Sequence, residues 1–229
     1  DDITIEGKNG RVRVTAHGVG GHAAFPENTV NAEEKLLCAL LESGLLQGGA
    51  AEPLAFLRKA FADDAGVGLG IDFRDEPSGY TTHVGGMVRL EGRELRQNVN
   101  IRYVVTADPE EVERRLCTAA EQGGFRCVVL RNSPPSYMPG DHPAVQIITR
   151  VTNEVLHTDL KPFTMGGGTY ARELPNAVAF GPNRMDLKLP EGVGDGHQAD
   201  EGICVQYLLD GLKIYVKALL ELDEVIESD

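Results

Sequence analysis

The stretch Gly194-Asp195-Gly196-His197-Gln198-Ala199-Asp200-Glu201 holds a histidine on a loop flexed by glycine, just ahead of a long apolar run. Glycine lets the backbone take conformations that other residues resist, so such an imidazole can be aimed. Neutral imidazole is the commonest metal ligand among side chains, which makes metal chemistry the reading to test. Two further stretches are rich in glycine: Gly20-Gly21-His22-Ala23-Ala24-Phe25-Pro26-Glu27 and Gly166-Gly167-Gly168-Thr169-Tyr170-Ala171-Arg172. Each is ordinary alone, and a surface loop that happens to carry a histidine is the plainer alternative for both His22 and His197.

Such loops need elements to hold them. Residues 3–16 alternate around Val12 and Val14 with Gly10 between two short runs, which predicts a β-hairpin. Asn31 is placed to cap a helix whose first turn carries Glu33 and Glu34, with Leu36, Leu37, Leu40 and Leu41 facing the core and Gly44 at its end. A second helix is expected over 53–61, burying Leu54, Leu57 and Phe61. Two strands are expected to meet at Glu91-Gly92-Arg93. In the second, Val99, Ile101, Tyr103 and Val105 share one face, and Asn98, Asn100 and Arg102 the other. Asp108-Pro109-Glu110-Glu111 starts another helix that Gly123 ends, and 125–130 reads as a strand. Two β-α-β stretches in succession predict an α+β sandwich over residues 1–137.

Pro134-Pro135 and Met138-Pro139-Gly140 make a stiff joint, so a boundary is placed there, with 138–229 as the second part. That part should hold a helix from Pro143 to His157 with Val145, Ile148, Val151 and Val155 inward, and a short strand over 178–180. A closing helix is expected from Asp200 to about Leu222, with Cys204, Tyr207, Leu208, Leu212, Tyr215 and Leu219 at helical spacing. Two long helices and one strand cannot cover both faces of a sheet, so this part is expected to belong to a larger α/β domain.

Composition narrows the function classes. The chain has 229 residues, a net charge of -13, and 41% hydrophobic and 25% charged residues. It is an ordinary globular composition. The negative charge argues against a nucleic-acid backbone or an anionic membrane as partner. The four cysteines, Cys38, Cys117, Cys127 and Cys204, form no CxxC pair, and three lie in apolar runs. Reduced buried thiols and a cytoplasmic location are the expectation. The first residue is Asp1 rather than Met, so a longer parent protein is also expected.

Taken in order and at these separations, the His22, Gly166–Arg172 and His197 stretches resemble the co-catalytic zinc metallopeptidases. That family includes aminoacylase, carboxypeptidase G and the carnosinase-type dipeptidases. Within it, the bacterial dipeptidase V branch also has counterparts of Asn100-Ile101-Arg102-Tyr103 and Ser136-Tyr137-Met138-Pro139-Gly140. The resemblance runs from the hairpin to the last helix and covers about the C-terminal half of such an enzyme. It implies that 1–137 is a lid and 138–229 the last part of a catalytic α/β domain that binds two zinc ions.

The resemblance assigns roles residue by residue. His197 matches a zinc ligand, a role that suits an imidazole nitrogen. His22 matches the lid histidine that stabilises the tetrahedral intermediate, which requires a donor where negative charge develops. Arg102 matches the arginine gripping the substrate's C-terminal carboxylate, and a guanidinium can do so bidentately. Gly167, Gly168 and Thr169 match the loop that presents N–H groups and a hydroxyl to that same end. His83 stands where many relatives carry asparagine, which weakens the case for a substrate contact from its strand. Glu33-Glu34 and Glu110-Glu111 are read as helix-dipole choices rather than metal ligands.

The function implied is zinc-dependent hydrolysis of dipeptides or short peptides, with the 229-residue piece inactive alone because it supplies one ligand. An N-acyl amino acid deacylase of the same family is the alternative within the chemistry. A non-catalytic lid, pairing as a homodimer, is the alternative outside it.

Overall fold

The computed structural model describes residues 2–20, 26, 29–44, 46, 49, 51–181, 183–184, 187–194 and 200–226. It is a mixed α+β chain with five α-helices and small antiparallel sheets among the described residues. It divides into two compact units, Asp1–Pro135 with Met165–Gly167, and Ser136–Thr164 with Gly168–Asp229. No helix among the described residues is long and apolar enough to cross a membrane.

The first unit opens with the expected hairpin, β1 (Ile3–Lys8) against β2 (Arg11–Ala16), turning at Asn9-Gly10 with both residues at positive φ. That pair of left-handed residues is the turn whose twist matches the strands. Helix α1 (Ala32–Glu42) starts as read: Asn31 Oδ1 accepts from the N–H groups of Glu33 and Glu34 at 2.9 and 3.4 Å. Helix α2 (Ala51–Ala60) packs on α1 and buries Leu57 and Ala60. A two-residue pair, β3 (Arg74–Asp75) with β4 (Gly79–Tyr80), follows. The long hairpin comes next, β5 (Thr82–Glu91) and β6 (Glu94–Arg102), with a register shift between Gly85 and Met87.

The β6 alternation holds as far as the strand does. Leu95, Val99 and Ile101 pack on the core, while Asn98 and Asn100 are exposed. After Arg102 the chain leaves the ladder, so Val104 is the buried residue rather than Val105. Helix α3 (Pro109–Gln122) is capped by Asp108 and closed by Gly123. Its exit is a Schellman turn, in which Phe125 N–H reaches Ala120 O at 2.8 Å and Gly124 N–H reaches Glu121 O at 3.0 Å. Gly124 sits at φ +82, the left-handed residue this motif needs. Ile71, fully buried, lies in a cluster with Leu37, Leu57, Phe61, Leu69, Val104 and Val112.

Further expectations need correction here and in the second unit. Residues 125–130 belong to no ladder among the described residues. The chain reverses onto α3 through the Schellman turn, and Phe125 packs against Phe56 at 5.8 Å instead of entering a sheet. Cys117 and Cys127, read as reduced thiols, are joined as a disulfide with Cα atoms 5.1 Å apart. Residues 178–180 are irregular, held by Phe180 stacking on Tyr215 at 4.2 Å.

The second unit is built on two helices. Helix α4 (Pro143–Leu156) begins at His142, whose Nδ1 accepts from Ala144 N–H at 3.2 Å, and it buries Val145, Ile148 and Val151 as expected. Helix α5 (Val205–Ile226) starts later than expected, because Asp200 takes a left-handed φ of 57 and cannot serve as its cap. Its buried stripe also differs: Ile214 and Ala218 face α4, while Leu208, Leu212 and Leu219 are exposed. Gln206, Asp210, Lys213, Lys217 and Glu221 give the helix one polar face, but the apolar arc that remains is wide, and helical spacing alone cannot choose which part of it is buried.

Candidate functional site

Arg102 is the last residue of β6, half-buried and paired across the ladder with Thr82. The chain behind it is clamped. Asp75 Oδ1 accepts from Ser78 N–H and Oγ, both at 2.7 Å, and its Oδ2 accepts from Thr106 N–H at 3.1 Å and Thr106 Oγ1 at 3.0 Å. Ser78 Oγ in turn accepts from Val105 N–H at 2.9 Å. The β3–β4 turn therefore fixes the backbone three and four residues beyond Arg102. Burial works against the charge on Asp75, but the bonds from Ser78 and Thr106 outweigh it and hold the carboxyl below its usual range. Tyr103, next to Arg102, donates its hydroxyl to Asn132 Oδ1 at 2.8 Å or Ser133 O at 2.9 Å. Reading for reactive side chains misses this clamp, although the turn Asp75-Glu76-Pro77-Ser78 signals it through its aspartate and proline.

His22 and His197 lie outside the described residues. The stems of both loops are described, and each is tied. Around His22, Val19 and Val30 form an antiparallel bridge through N–H···O bonds of 3.0 and 2.9 Å, and Thr29 folds back onto Pro26 O. Gly18 permits this closure, since a Cβ there would stand 2.5 Å from Val30 O. Around His197, Gly194 pairs with Glu201 in a parallel bridge. There Gly194 N–H reaches Asp200 O at 3.0 Å, and Gly202 N–H reaches Gly194 O at 3.2 Å. A loop whose ends are joined has less freedom to lose when its tip is ordered by a ligand.

Gly167 is half-buried, and Gly168 and Thr169 are exposed. Neither glycine has a positive φ, and their nearest neighbours are ends of flexible side chains. A Cβ on Gly167 would lie 2.7 Å from Met165 Cε, and one on Gly168 would lie 3.2 Å from Arg172. Thr169 Oγ1 caps the short 3-10 helix Tyr170–Glu173 by accepting from Ala171 N–H at 3.2 Å. Its hydroxyl proton stays available to donate.

Among the remaining histidines, His83 has a structural task. His83 is buried, stacked on Phe61 at 5.8 Å, with Nε2 2.9 Å from Ala60 O. A carbonyl can only accept, so Nε2 carries the proton, and the ring ties β5 to the end of α2. A groove of about 560 Å³ runs along the second unit between Glu154, Val155, His157, Leu212, Lys213, Val216 and Lys217, and it contains none of the predicted residues. Among the described residues no three His, Cys, Asp or Glu side chains converge as a metal site.

No family model matches the chain. Curated proteins do. A Bacillus subtilis protein named "Putative dipeptidase YtjP" is 33% identical over 217 residues, covering 94% of this chain and 45% of the relative. A Staphylococcus aureus (strain MW2) protein, likewise named a putative dipeptidase, is 29% identical over 223 residues, covering 96% and 46%. Its counterpart in strain USA300 is 30% identical over the same span. The chain spans somewhat less than half the length of the curated relatives it matches. Along nearly its whole length, then, this chain is similar to proteins named as dipeptidases.

Proposed function

We propose that the chain is the substrate-gripping and C-terminal part of a zinc-dependent dipeptidase. Residues 1–137 act as the lid, and 138–229 contribute to the catalytic domain. The observation that carries this reading is the match to proteins named as dipeptidases across 94–96% of the chain, a span that includes every proposed site residue. The clamped backbone behind Arg102 and the tied stems of the His22 and His197 loops support it.

In this reading Arg102 takes the free carboxylate of the peptide through two parallel N–H···O bonds. The N–H groups of Gly167 and Gly168 and the hydroxyl of Thr169 meet that same end. His22 donates a hydrogen bond where negative charge develops on the carbonyl oxygen during attack. His197 offers one neutral nitrogen to zinc, which suits the metal but falls short of the three or four protein donors a zinc site requires. When bound, zinc supplies water acidified to near neutrality and a polarised carbonyl. Requiring a free carboxylate next to the scissile bond favours short peptides.

The test is a substrate panel on the intact protein with zinc, alongside the 229-residue chain alone. Free dipeptides should be hydrolysed by the intact protein, C-terminally amidated ones should resist, and the chain alone should be inert. Arg102→Met should lower kcat/KM for free dipeptides by roughly 10- to 100-fold, the worth of a charge-assisted pair, and barely change the amidated ones. Preferential release of acyl groups from acylated amino acids would replace the dipeptidase reading with a deacylase. Robust turnover by the chain alone would overturn the single-donor assignment.

A further inference from the structure

The extended segment 125–133 leads back from α3 toward Tyr103 with little to hold its middle. Its start is fixed by the Schellman bond from Phe125 to Ala120 and by the Phe56 ring. Its end is fixed by Asn132, whose Nδ2 donates to Pro109 O at 3.0 Å and whose Oδ1 accepts from Tyr103. Between these points Val128, Val129 and Leu130 are 62%, 40% and 82% exposed, and the backbone joins no ladder among the described residues. The link from Cys127 to Cys117 is what ties this stretch to the helix. The reversal at Gly124 brings Cys127 back beside a residue ten positions earlier, with the Cα atoms at 5.1 Å, inside the range a disulfide bridges without backbone movement. Neither cysteine is fully buried. The other two are a different case. Cys38 donates to Glu42 at 3.1 Å, Cys204 is exposed, and neither is paired.

We propose that Cys117 and Cys127 are a reversible redox modification site, a clasp that fastens the middle of 125–133 to α3 when oxidised and frees that middle when reduced. The oxidant is a low-molecular-weight disulfide. The thiolate of one cysteine attacks a sulfur of that disulfide and releases one small thiolate, giving a mixed disulfide. The second cysteine's thiolate then displaces the other small thiol. One S–S bond breaks and one forms, and the two protein thiols give up two electrons and two protons to two small thiols. The clasp also bears on the candidate site, because Asn132 and Ser133 hold the hydroxyl of the residue next to Arg102. The chemistry of the pair is independent of the dipeptidase reading.

The test uses the 229-residue chain carrying Cys38→Ser and Cys204→Ser, equilibrated in glutathione buffers of graded ratio and quenched by alkylation. A single two-electron transition linking the peptides of Cys117 and Cys127 is expected. Trypsin cleavage after the exposed Arg126 and Arg131 should be roughly tenfold slower in the oxidised form, since cleavage follows the population of the opened segment. The added double substitution Cys117→Ser/Cys127→Ser should cleave at the reduced rate whatever the buffer. Thiols that stay alkylatable at every ratio, or equal cleavage rates in the two states of the unsubstituted pair, would overturn the proposal without any activity measurement.

Discussion

In the first unit a cluster of nine buried side chains draws on α1, α2, the 3-10 turn at Val67–Leu69, the strand exit at Val104 and helix α3. In the second, the corresponding cluster is Ile148, Val151, Ile214 and Ala218, shared by two helices. The polar ties differ in the same sense. Asp75, Ser78 and Thr106 bind the β3–β4 turn to the segment after β6 through short bonds to backbone and hydroxyl groups. Helices α4 and α5 are laced by Arg150 with Glu154 and Glu221, and by Lys217 with Glu154, all at the surface. Arg102 thus stands on a frame set by burial together with the Asp75 clamp, whereas the His197 stem of the second unit depends on local backbone bonds.

The sharpest way to break that contrast is to remove the same atoms from each core. Ile71 is fully buried at the centre of the larger cluster, and Ile148 is 8% exposed in the smaller one. Ile71→Ala should cost toward the upper end of the about 2–5 kcal/mol typical of such truncations, and Ile148→Ala toward the lower end, because a thinly covered site can collapse onto its cavity. Urea unfolding followed by hydrogen exchange at amides of each unit reads both costs. Equal losses would mean that the two cores are equivalent despite their sizes.

A smaller effect separates the polar ties. Surface ion pairs are screened by salt, whereas hydrogen bonds clamping backbone are much less so. Raising sodium chloride should therefore weaken protection of α4 and α5 selectively, and Arg150→Met should abolish most of that salt response while costing less than Ile148→Ala. If protection in the two units falls in parallel with salt, the ion-pair lacing is not what distinguishes them.

The same contrast explains what could be read in advance. Capping and turn chemistry is local, so Asn31, Asp108, Asn9-Gly10 and Gly123 carry their own signals, and the elements they bound are legible from sequence. Segment 125–130 has the composition of a strand but joins no ladder among the described residues, because pairing is decided by a partner far along the chain. The closing helix has one polar face and a wide apolar arc, so which stripe of that arc is buried depends on what it meets. For the candidate site, the residue types at Arg102 and the glycine loop are visible as motifs. The long-range supports, the Asp75–Thr106 bonds behind Arg102 and the bridges Val19–Val30 and Gly194–Glu201 at the stems of the two histidine loops, are not, because each joins residues whose proximity only the fold creates.

The smallest expected effect sharpens the account of the first unit through two carboxyls that respond to pH in opposite senses. Burial raises the Glu33 carboxyl above its ordinary value, with a hydrogen bond to Gln97 partly opposing it. The contribution of Glu33 is therefore fully present below its unfolded pKa and is lost as pH rises through the higher folded value. Asp75 is held low in the fold, so its contribution is present above its unfolded pKa and is lost as pH falls through the lower folded value. Each titration changes the slope of stability by at most about 1.4 kcal/mol per pH unit per proton. Glu33→Gln should raise stability of the first unit near pH 7, where the wild-type side chain bears a half-buried charge, and leave it little changed at pH 4. Asp75→Asn should lower it at pH 7, with the loss shrinking as the pH is taken below the ordinary aspartate range. Urea titrations at three pH values distinguish the two. A Glu33→Gln difference that is the same at pH 4 and pH 7 would show that this carboxyl titrates as it does in the unfolded chain, and that α1 lies on the β5–β6 sheet without charging a cost for it.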